Sequence, residues 1–459
     1  VCKRSPLCGA ASSSPSTSSK PRIPRAYDAM EALLVFLALF AVLLIGVDIA
    51  FALAGLGLAL LLIGGFSPLI MPQTMMASMD NFILLAVPLF ILMSNVLLRG
   101  GAGDDLFAAV QSWVGHWPGG LAVATILSCA LFAAISGSSV ATAATVGTVA
   151  IPAMAARGYD RRFTYGLLAA GGTLGILIPP SIPMIVYGVV MSESIVDLFR
   201  AGVVPGLMLT ALFVAYSVLQ ARFGGACQPE PRADWQTRRT ASLRAAPTLA
   251  LALVIVLGIY FGAFTPTEAA GVGFLLAAAI TLGWRRSLLP ADLLPIALES
   301  ARTSAMILFI VAAASVFGKA LTLYRIPQEV TTLVVGNIAS PELFIAVTCV
   351  LLLAMGCVLE ALSMMLLVVP VVQPALSDLG VDPIWFGVIF TMMIECALIT
   401  PPVGLNLFVI RAVASQSLGA GETATVGDVV RGTLPFVLLI LFAVVLLIIW
   451  PSIVLAVIH

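Results

Sequence analysis

The chain has 459 residues, 61% of them hydrophobic and 10% charged, with a mean hydropathy of +1.13. That composition excludes an ordinary water-soluble domain and indicates a polytopic membrane protein whose solvent is the lipid bilayer. The formal net charge is zero, which excludes the basic surface that nucleic acid requires.

Two histidines, His116 and His459, leave no HExxH and no His-rich metal centre, and the Walker GxxxxGK[ST] loop of an ATPase is absent. The seven cysteines (Cys2, Cys8, Cys129, Cys227, Cys349, Cys357, Cys396) form no CxxC pair and read as small core residues. An intramembrane enzyme thus lacks any His/Cys/Asp arrangement of catalytic spacing, and no cofactor is expected.

Residues 1–29 contain a Ser/Pro-rich stretch and no apolar segment of signal-peptide length, and read as a disordered extension outside the fold. Apolar spans at about 31–47, 49–65 and 80–97 predict the first crossings. The more polar Asp104 to Val114 reads as an interfacial helix. The stretch 119–156 is too long for one helix and is interrupted by Ser136, Gly137, Ser138 and Ser139, so it reads as a re-entrant hairpin. In 163–191, Gly171, Gly172, Thr173 and Gly175 precede Pro179, Pro180 and Pro183, which predicts a broken helix. After the span 201–221, a polar linker over 222–246 separates a first repeat, 30–221, from a second, 247–459.

The second half begins with spans 247–264 and 269–283, between which Thr265 to Glu268 reads as a helix start capped by Thr267. Ala291 to Ala301 reads as a second interfacial helix, followed by a span at 303–323. A second hairpin, 341–376, is interrupted from Gly356 to Ser363. A second broken helix, 384–410, carries Glu395, Thr400, Pro401, Pro402, Gly404 and Asn406, and 433–458 is the last span.

Gly158-Tyr159-Asp160 precedes Pro179-Pro180 as Gly380-Val381-Asp382 precedes Pro401-Pro402, at one offset (382 − 160 and 401 − 179 both give 222). The chain therefore reads as one unit used twice. With both interrupted stretches treated as hairpins, the positive-inside rule places fourteen arginines on one side and only Arg200, Lys319 and Arg325 on the other. The expected fold is all-α and polytopic: about ten transmembrane helices plus two re-entrant hairpins, in two inverted repeats whose tips approach at mid-depth.

Prolines and glycines in such runs free carbonyls that lipid cannot satisfy. Hydroxyls add neutral oxygen ligands, and half-helix termini present carbonyls to a cation and amides to an anion. In the first half the candidate ion and substrate ligands are Ser136, Gly137, Ser138, Ser139, Thr142, Gly172, Thr173, Gly175, Pro179 and Pro180. In the second they are Gly356, Glu360, Ser363, Glu395, Thr400, Pro401, Pro402, Gly404 and Asn406. Small residues also simply let helices pack closely, and Glu360 and Glu395 are equally suited to ion or proton coupling or to structural hydrogen bonding.

Four segments, SGSSVATAATVGTVAIP (136–152), GGTLGILIPPSIPMIVYG (171–188), FTPTEAAGVG (264–273) and ITPPVGLNLF (399–408), together resemble the large membrane subunit of tripartite ATP-independent periplasmic transporters. The resemblance covers essentially everything after Met30, with Glu360 standing where that family is expected to have an aspartate. It implies sodium-driven symport of an organic acid across the bacterial inner membrane, with sodium bound at the two sites formed by hairpin tip and broken helix. It also implies a soluble periplasmic binding protein that delivers the carboxylate, a separate small membrane subunit of about four helices, and elevator motion. In that motion 119–191 and 341–410 move together, and 201–221 and 433–458 stay with the scaffold. Alternatives are a stand-alone divalent-anion/sodium symporter, an intramembrane enzyme and an assembly protein. The last leaves the repeated polar interruptions unexplained.

Overall fold

The computed structural model describes residues 29–223, 231–337, 340–356, 359–401, 404–417 and 424–458, and all regular structure among them is helical. In lipid, a helix satisfies its backbone groups within one segment, so an apolar chain of this kind folds as helices that end where glycine, proline or a cap ends them. The first half contains α1 (Ala29–Leu44), α2 (Ile49–Ile63), α3 (Ile70–Met79), α4 (Ala86–Arg99), α5 (Ala102–Val114), α6 (Gly120–Ser136), α7 (Ser139–Ala156), α8 (Arg161–Leu177), α9 (Ile182–Met191) and α10 (Ile195–Phe223). The second contains α11 (Trp235–Tyr260), α12 (Pro266–Ala278), α13 (Leu293–Leu323), α14 (Ile326–Asn337), α15 (Pro341–Gly356), α16 (Ala361–Asp378), α17 (Pro383–Leu398), α18 (Leu405–Ser417), α19 (Val426–Ile449) and α20 (Ser452–Leu455).

Among the described residues eight helices are long and apolar enough to cross a membrane, or nine when the bent pair α8 and α9 counts as one span. The predicted spans 31–47 and 49–65 are helices of 16 and 15 residues, below that length. The predicted span 384–410 is divided between α17 and α18.

The duplication is visible in the backbone. α7 and α16 begin and end at positions 222 apart (361 − 139 and 378 − 156), and an internal proline, Pro152 or Pro374, occupies the same place in each. Both are closed by a glycine with positive φ, 74° at Gly158 and 65° at Gly380. The next N–H returns to the last turn, Tyr159 to the Met154 carbonyl at 3.2 Å and Val381 to that of Leu376 at 2.9 Å. Asp160 and Asp382 then cap the following helices, accepting from Phe163 N and from Ile384 N and Trp385 N.

Three local expectations change. Thr265, not Thr267, is the N-cap of α12: its hydroxyl accepts from Glu268 N while Glu268 returns to Thr265 N, a reciprocal capping box. Thr267 instead contacts the Phe82 carbonyl. Ala291–Ala301 is no separate interfacial helix, because no glycine stands between Leu293 and Gly318 and the residues run on into α13. Segments 66–79 and 324–340, which lie between the predicted elements, contain α3 and α14, which pack on α13 and α16 respectively.

The helices form two groups. α2, α3 and α4 pack around α13, with α12 on α4 and α11 on α12. α6, α7, α8, α17 and α18 form the second group, joined by α16 and α9. α10 and α19 pack chiefly on helices of this second group. α19 lies so close to α8 that a Cβ at Gly166 would overlap the Gly432 carbonyl, and one at Gly432 the Arg162 carbonyl. α5 spans both groups, packing on α6, α7 and α11.

Candidate functional site

α6 ends because Gly137 enters the left-handed region at φ 58, returning its N–H to the Ala133 carbonyl at 3.2 Å. Ser138 is extended and caps α7, accepting from Ala141 N at 3.4 Å. Two residues thus set the carbonyl end of one helix beside the amide end of the next. Ser136 Oγ and Thr142 Oγ1 lie 2.8 Å apart, and Thr142 Oγ1 donates to the Ser138 carbonyl at 2.8 Å. Both side chains are buried.

This tip is docked into the interruption between α8 and α9. A Cβ at Gly137 would lie 2.6 Å from the Pro180 carbonyl oxygen, and one at Gly175 would lie 2.6 Å from the Ser138 oxygen and 2.8 Å from Thr142 Oγ1. A Cβ at Gly172 would meet that of Ala143 at 2.6 Å. These three glycines are what allow the backbone of the broken helix to touch the tip. The bend between α8 and α9 is 41°, with Pro179 and Pro180 in the interruption. Ser181 spans the interruption by donating to the Ile176 carbonyl and accepting from Met184 N. Thr173 is buried in α8 and donates to the Ala170 carbonyl of its own helix at 2.7 Å.

The second half reaches into the first through Asn406, near the start of α18. Its Nδ2 donates to Ser139 Oγ at 2.6 Å and to the Ala169 carbonyl at 3.2 Å. The side chain is fully buried, and Oδ1 has no hydrogen-bond partner among the described residues. An orphan buried acceptor of this kind is costly unless a donor or cation completes it. Sequence reasoning gave Asn406 to the second half's own site; its fold position puts it at the first half's tip.

The second tip is arranged differently. Gly356, the last residue of α15, lies against α17, where a Cβ would overlap that of Ala397. Glu360 occupies the N-cap position of α16 without capping the backbone, and accepts from Ser363 Oγ at 2.9 Å. Thr400 Oγ1 donates to the Cys396 carbonyl at 2.6 Å, and Gly404 enters the left-handed region at φ 46. Pro401 is in a turn, and Pro402 lies outside the described residues. A cavity of about 280 Å³ opens here between Gly356, Glu360, Ala397 and Gly404, lined also by Val47 of the α1–α2 turn and Ile49 at the start of α2. Glu395, in the last turn of α17, is fully buried, and neither carboxyl oxygen has a partner among the described residues.

The structure therefore brings Ser136, Gly137, Ser138, Ser139, Thr142, Gly172, Gly175, Pro180 and Asn406 together, and separately Gly356, Glu360, Ser363 and Gly404. Cys129, Cys349 and Cys396 are buried free thiols, while Cys2, Cys8, Cys227 and Cys357 lie outside the described residues. Ser181 and Ala397 were missed. Ser181 directly follows Pro179-Pro180, a local signal for a cap; the role of Ala397 has no local signal. The cross-half packing is symmetric: α18 lies on α7, and its counterpart α9 lies on α16.

The family described as "Tripartite ATP-independent periplasmic transporter, DctM component" matches residues 36–453. The C4-dicarboxylate TRAP transporter large permease protein DctM of Pseudomonas aeruginosa is 39% identical over 377 residues, 82% of this chain and 86% of that protein. The isethionate TRAP transporter permease protein DctMQ of Oleidesulfovibrio alaskensis is 35% identical over 392 residues, 85% of this chain and 61% of that protein. In fold the chain is similar to the Alcanivorax borkumensis YdaH transporter, with a TM-score of 0.58 over 83% of this chain and 87% of that one at 15% identity. These relatives are transporters, consistent with a multi-pass protein of the bacterial inner membrane and not with an enzyme. The chain belongs to the family of the DctM component, the large permease of tripartite ATP-independent periplasmic transporters.

Proposed function

We propose that this permease couples the inward movement of sodium to uptake of a small organic acid carrying a carboxylate. The substrate is handed over by a soluble periplasmic binding protein, and the permease works beside a small membrane subunit. The fused DctMQ relative supports a membrane partner, and membership of a tripartite family favours this reading over a stand-alone symporter. The observation that carries the ion site is Asn406 Oδ1, a fully buried acceptor without a partner among the described residues, beside a tip of helix carbonyls and hydroxyls. Neutral oxygens of this type suit a cation that must bind and leave. The 280 Å³ cavity at Glu360 is the second candidate site.

In this reading the repeats are inverted, the hairpins are re-entrant, and the group built on α6–α10 and α15–α19 moves as an elevator against α1–α4 and α11–α13. The test is uptake of a panel of C4-dicarboxylates and sulfonates into proteoliposomes holding the permease, its small subunit and binding protein, with and without an inward sodium gradient. Asn406→Leu should lose sodium-driven uptake at least about tenfold while remaining monodisperse, since both the donor pair and Oδ1 disappear. Uptake with unchanged sodium dependence in that variant overturns the ion site. Cysteine pairs across the α4–α6 contact should stop transport reversibly; undiminished uptake in the crosslinked protein overturns the elevator.

A further inference from the structure

Away from both tips, the far ends of α11 and α12 form a second polar site that the transport reading does not use. α12 continues as a single stretch of π-helix, Ala279–Trp284, followed by Arg285 and Arg286. Such π segments recur where a helix must turn its side chains to a functional purpose. Trp284 is left 77% exposed, whereas Arg285 is turned inward. Arg285 Nη2 lies 2.8 Å from Asp105 Oδ2 of α5, in contact but off the line of a hydrogen bond, and its Nη1 is buried with no partner among the described residues. Arg244 of α11 borders the same cavity, of about 570 Å³, with Thr240, Leu243 and Trp284. Burial raises the Asp105 carboxyl above its ordinary range, against the pull of Arg285 and Arg244. Two guanidinium groups thus face Asp105, with Asp104 as a second carboxylate beside it.

We propose that this cavity binds the headgroup of an anionic phospholipid, its phosphodiester held between Arg244 and Arg285 and its acyl region lying along Leu243 and Trp284. Guanidinium forks match phosphate oxygens, and the buried Nη1 supplies a donor that no described residue engages. The apolar side favours a lipid over a free anion. Leu243 is 59% exposed beside the guanidinium groups, at the end of two helices long and apolar enough to span a bilayer. Exposed tryptophan at that level is the usual companion of a membrane interface, and basic pockets there are suited to anionic headgroups. The position also matters, because α5, which carries Asp105, packs on hairpin helix α6 and on α11. A bound headgroup would draw Arg285 from Asp105 at the junction of the two helix groups.

The test uses the purified full chain in neutral detergent, titrated with phosphatidylglycerol, phosphatidylcholine or inorganic phosphate, with Tm as the readout. Phosphatidylglycerol should raise Tm saturably, and the other two should not. Arg244→Gln should weaken the apparent affinity about tenfold, the scale of one charge-assisted contact. Arg239→Gln, on the same helix but outside the cavity lining, should leave it unchanged. If Arg244→Gln does not purify as a folded protein, Arg244→Lys serves, and should weaken binding by losing the fork while keeping the charge. Equal responses to phosphatidylcholine, an equal response to inorganic phosphate, or equal losses in the Arg239 and Arg244 variants would each overturn the site.

Discussion

The helices that leave the two hairpin tips, α7 and α16, match in extent, whereas the tips differ in chemistry. Position for position at the offset of 222, Ser138 corresponds to Glu360, Thr142 to Met364, Thr173 to Glu395 and Gly175 to Ala397. The first tip is closed, its hydroxyls bonded to one another and to its own carbonyls, and it depends on Gly175 in the broken helix to receive the Ser138 carbonyl. At the second, close packing is supplied from the other partner, Gly356 of the hairpin lying against Ala397, and an open cavity remains beside Glu360. Duplication therefore preserved the turns at Gly158 and Gly380 and the caps at Asp160 and Asp382, and left each half to find its own way of packing and its own polar groups at the tips.

The largest expected effect breaks that packing. Gly175→Ala places a Cβ against the Ser138 backbone, which has no side chain to move aside. It should cost about 1–3 kcal/mol and remove most uptake. Gly356→Ala should be comparably harmful alone, because the new methyl overlaps that of Ala397. Here the clash is between two methyl groups, so Gly356→Ala with Ala397→Gly should recover most of the lost Tm. A double variant no more stable than Gly356→Ala would show that the two tips are not alternative solutions to one packing problem.

A smaller effect separates the two N-cap positions. Ser138→Ala removes a cap from α7 and should destabilise by about 0.5–2 kcal/mol. Glu360 makes no such cap. Glu360→Gln keeps an acceptor for Ser363, so it should leave Tm nearly unchanged while lowering uptake if its charge borders the transport cavity. A Tm loss in Glu360→Gln matching that of Ser138→Ala would erase the distinction.

How much of this was legible depended on range along the chain. Gly158, Asp160, Gly380 and Asp382 act through hydrogen bonds within five residues, and their spacing announced the repeat that these helix ends share. The Ser136–Ser139 tip and the interruption at Pro179-Pro180 were legible for the same reason. Asn406 was legible as a candidate ligand but its place at the first tip was not, because its partners Ser139 and Ala169 are more than 200 positions away (406 − 169 is 237). Nor did the sequence announce that Gly166 and Gly432 bring α19 onto α8, since a glycine in an apolar helix carries no mark of its partner. Thr265 was passed over as a cap because Thr267 stands two residues on, and only geometry decides which hydroxyl faces the Glu268 N–H.

The smallest effect concerns the corners beside the equivalent caps, Asp160 and Asp382. Next to the first, Arg162 Nε bonds Asp428 Oδ1 of α19 at 2.9 Å, an attractive contact. Beside the second stands Glu193, in the turn between α9 and α10. Burial, and then the charge of Asp382, raises its carboxyl above the usual range. An acid whose pKa is higher folded than unfolded binds its proton more tightly when folded. Its contribution is therefore most favourable below the unfolded value of about 4.3 and is lost as pH rises through the higher folded value. Glu193→Gln should accordingly stabilise the protein at pH 7, within about 0.5 kcal/mol for a partly exposed site, and the gain should vanish in a melt below pH 4. Asp428→Asn should do the opposite at pH 7, losing a small part of the 0.2–1 kcal/mol typical of an exposed ion pair, about which added salt should matter as well. Thermal melts of both variants at pH 7, in low and high salt, decide the matter. If both substitutions shift Tm in the same direction, the two corners do not differ in electrostatic sign, and the contrast between the halves is confined to their tips.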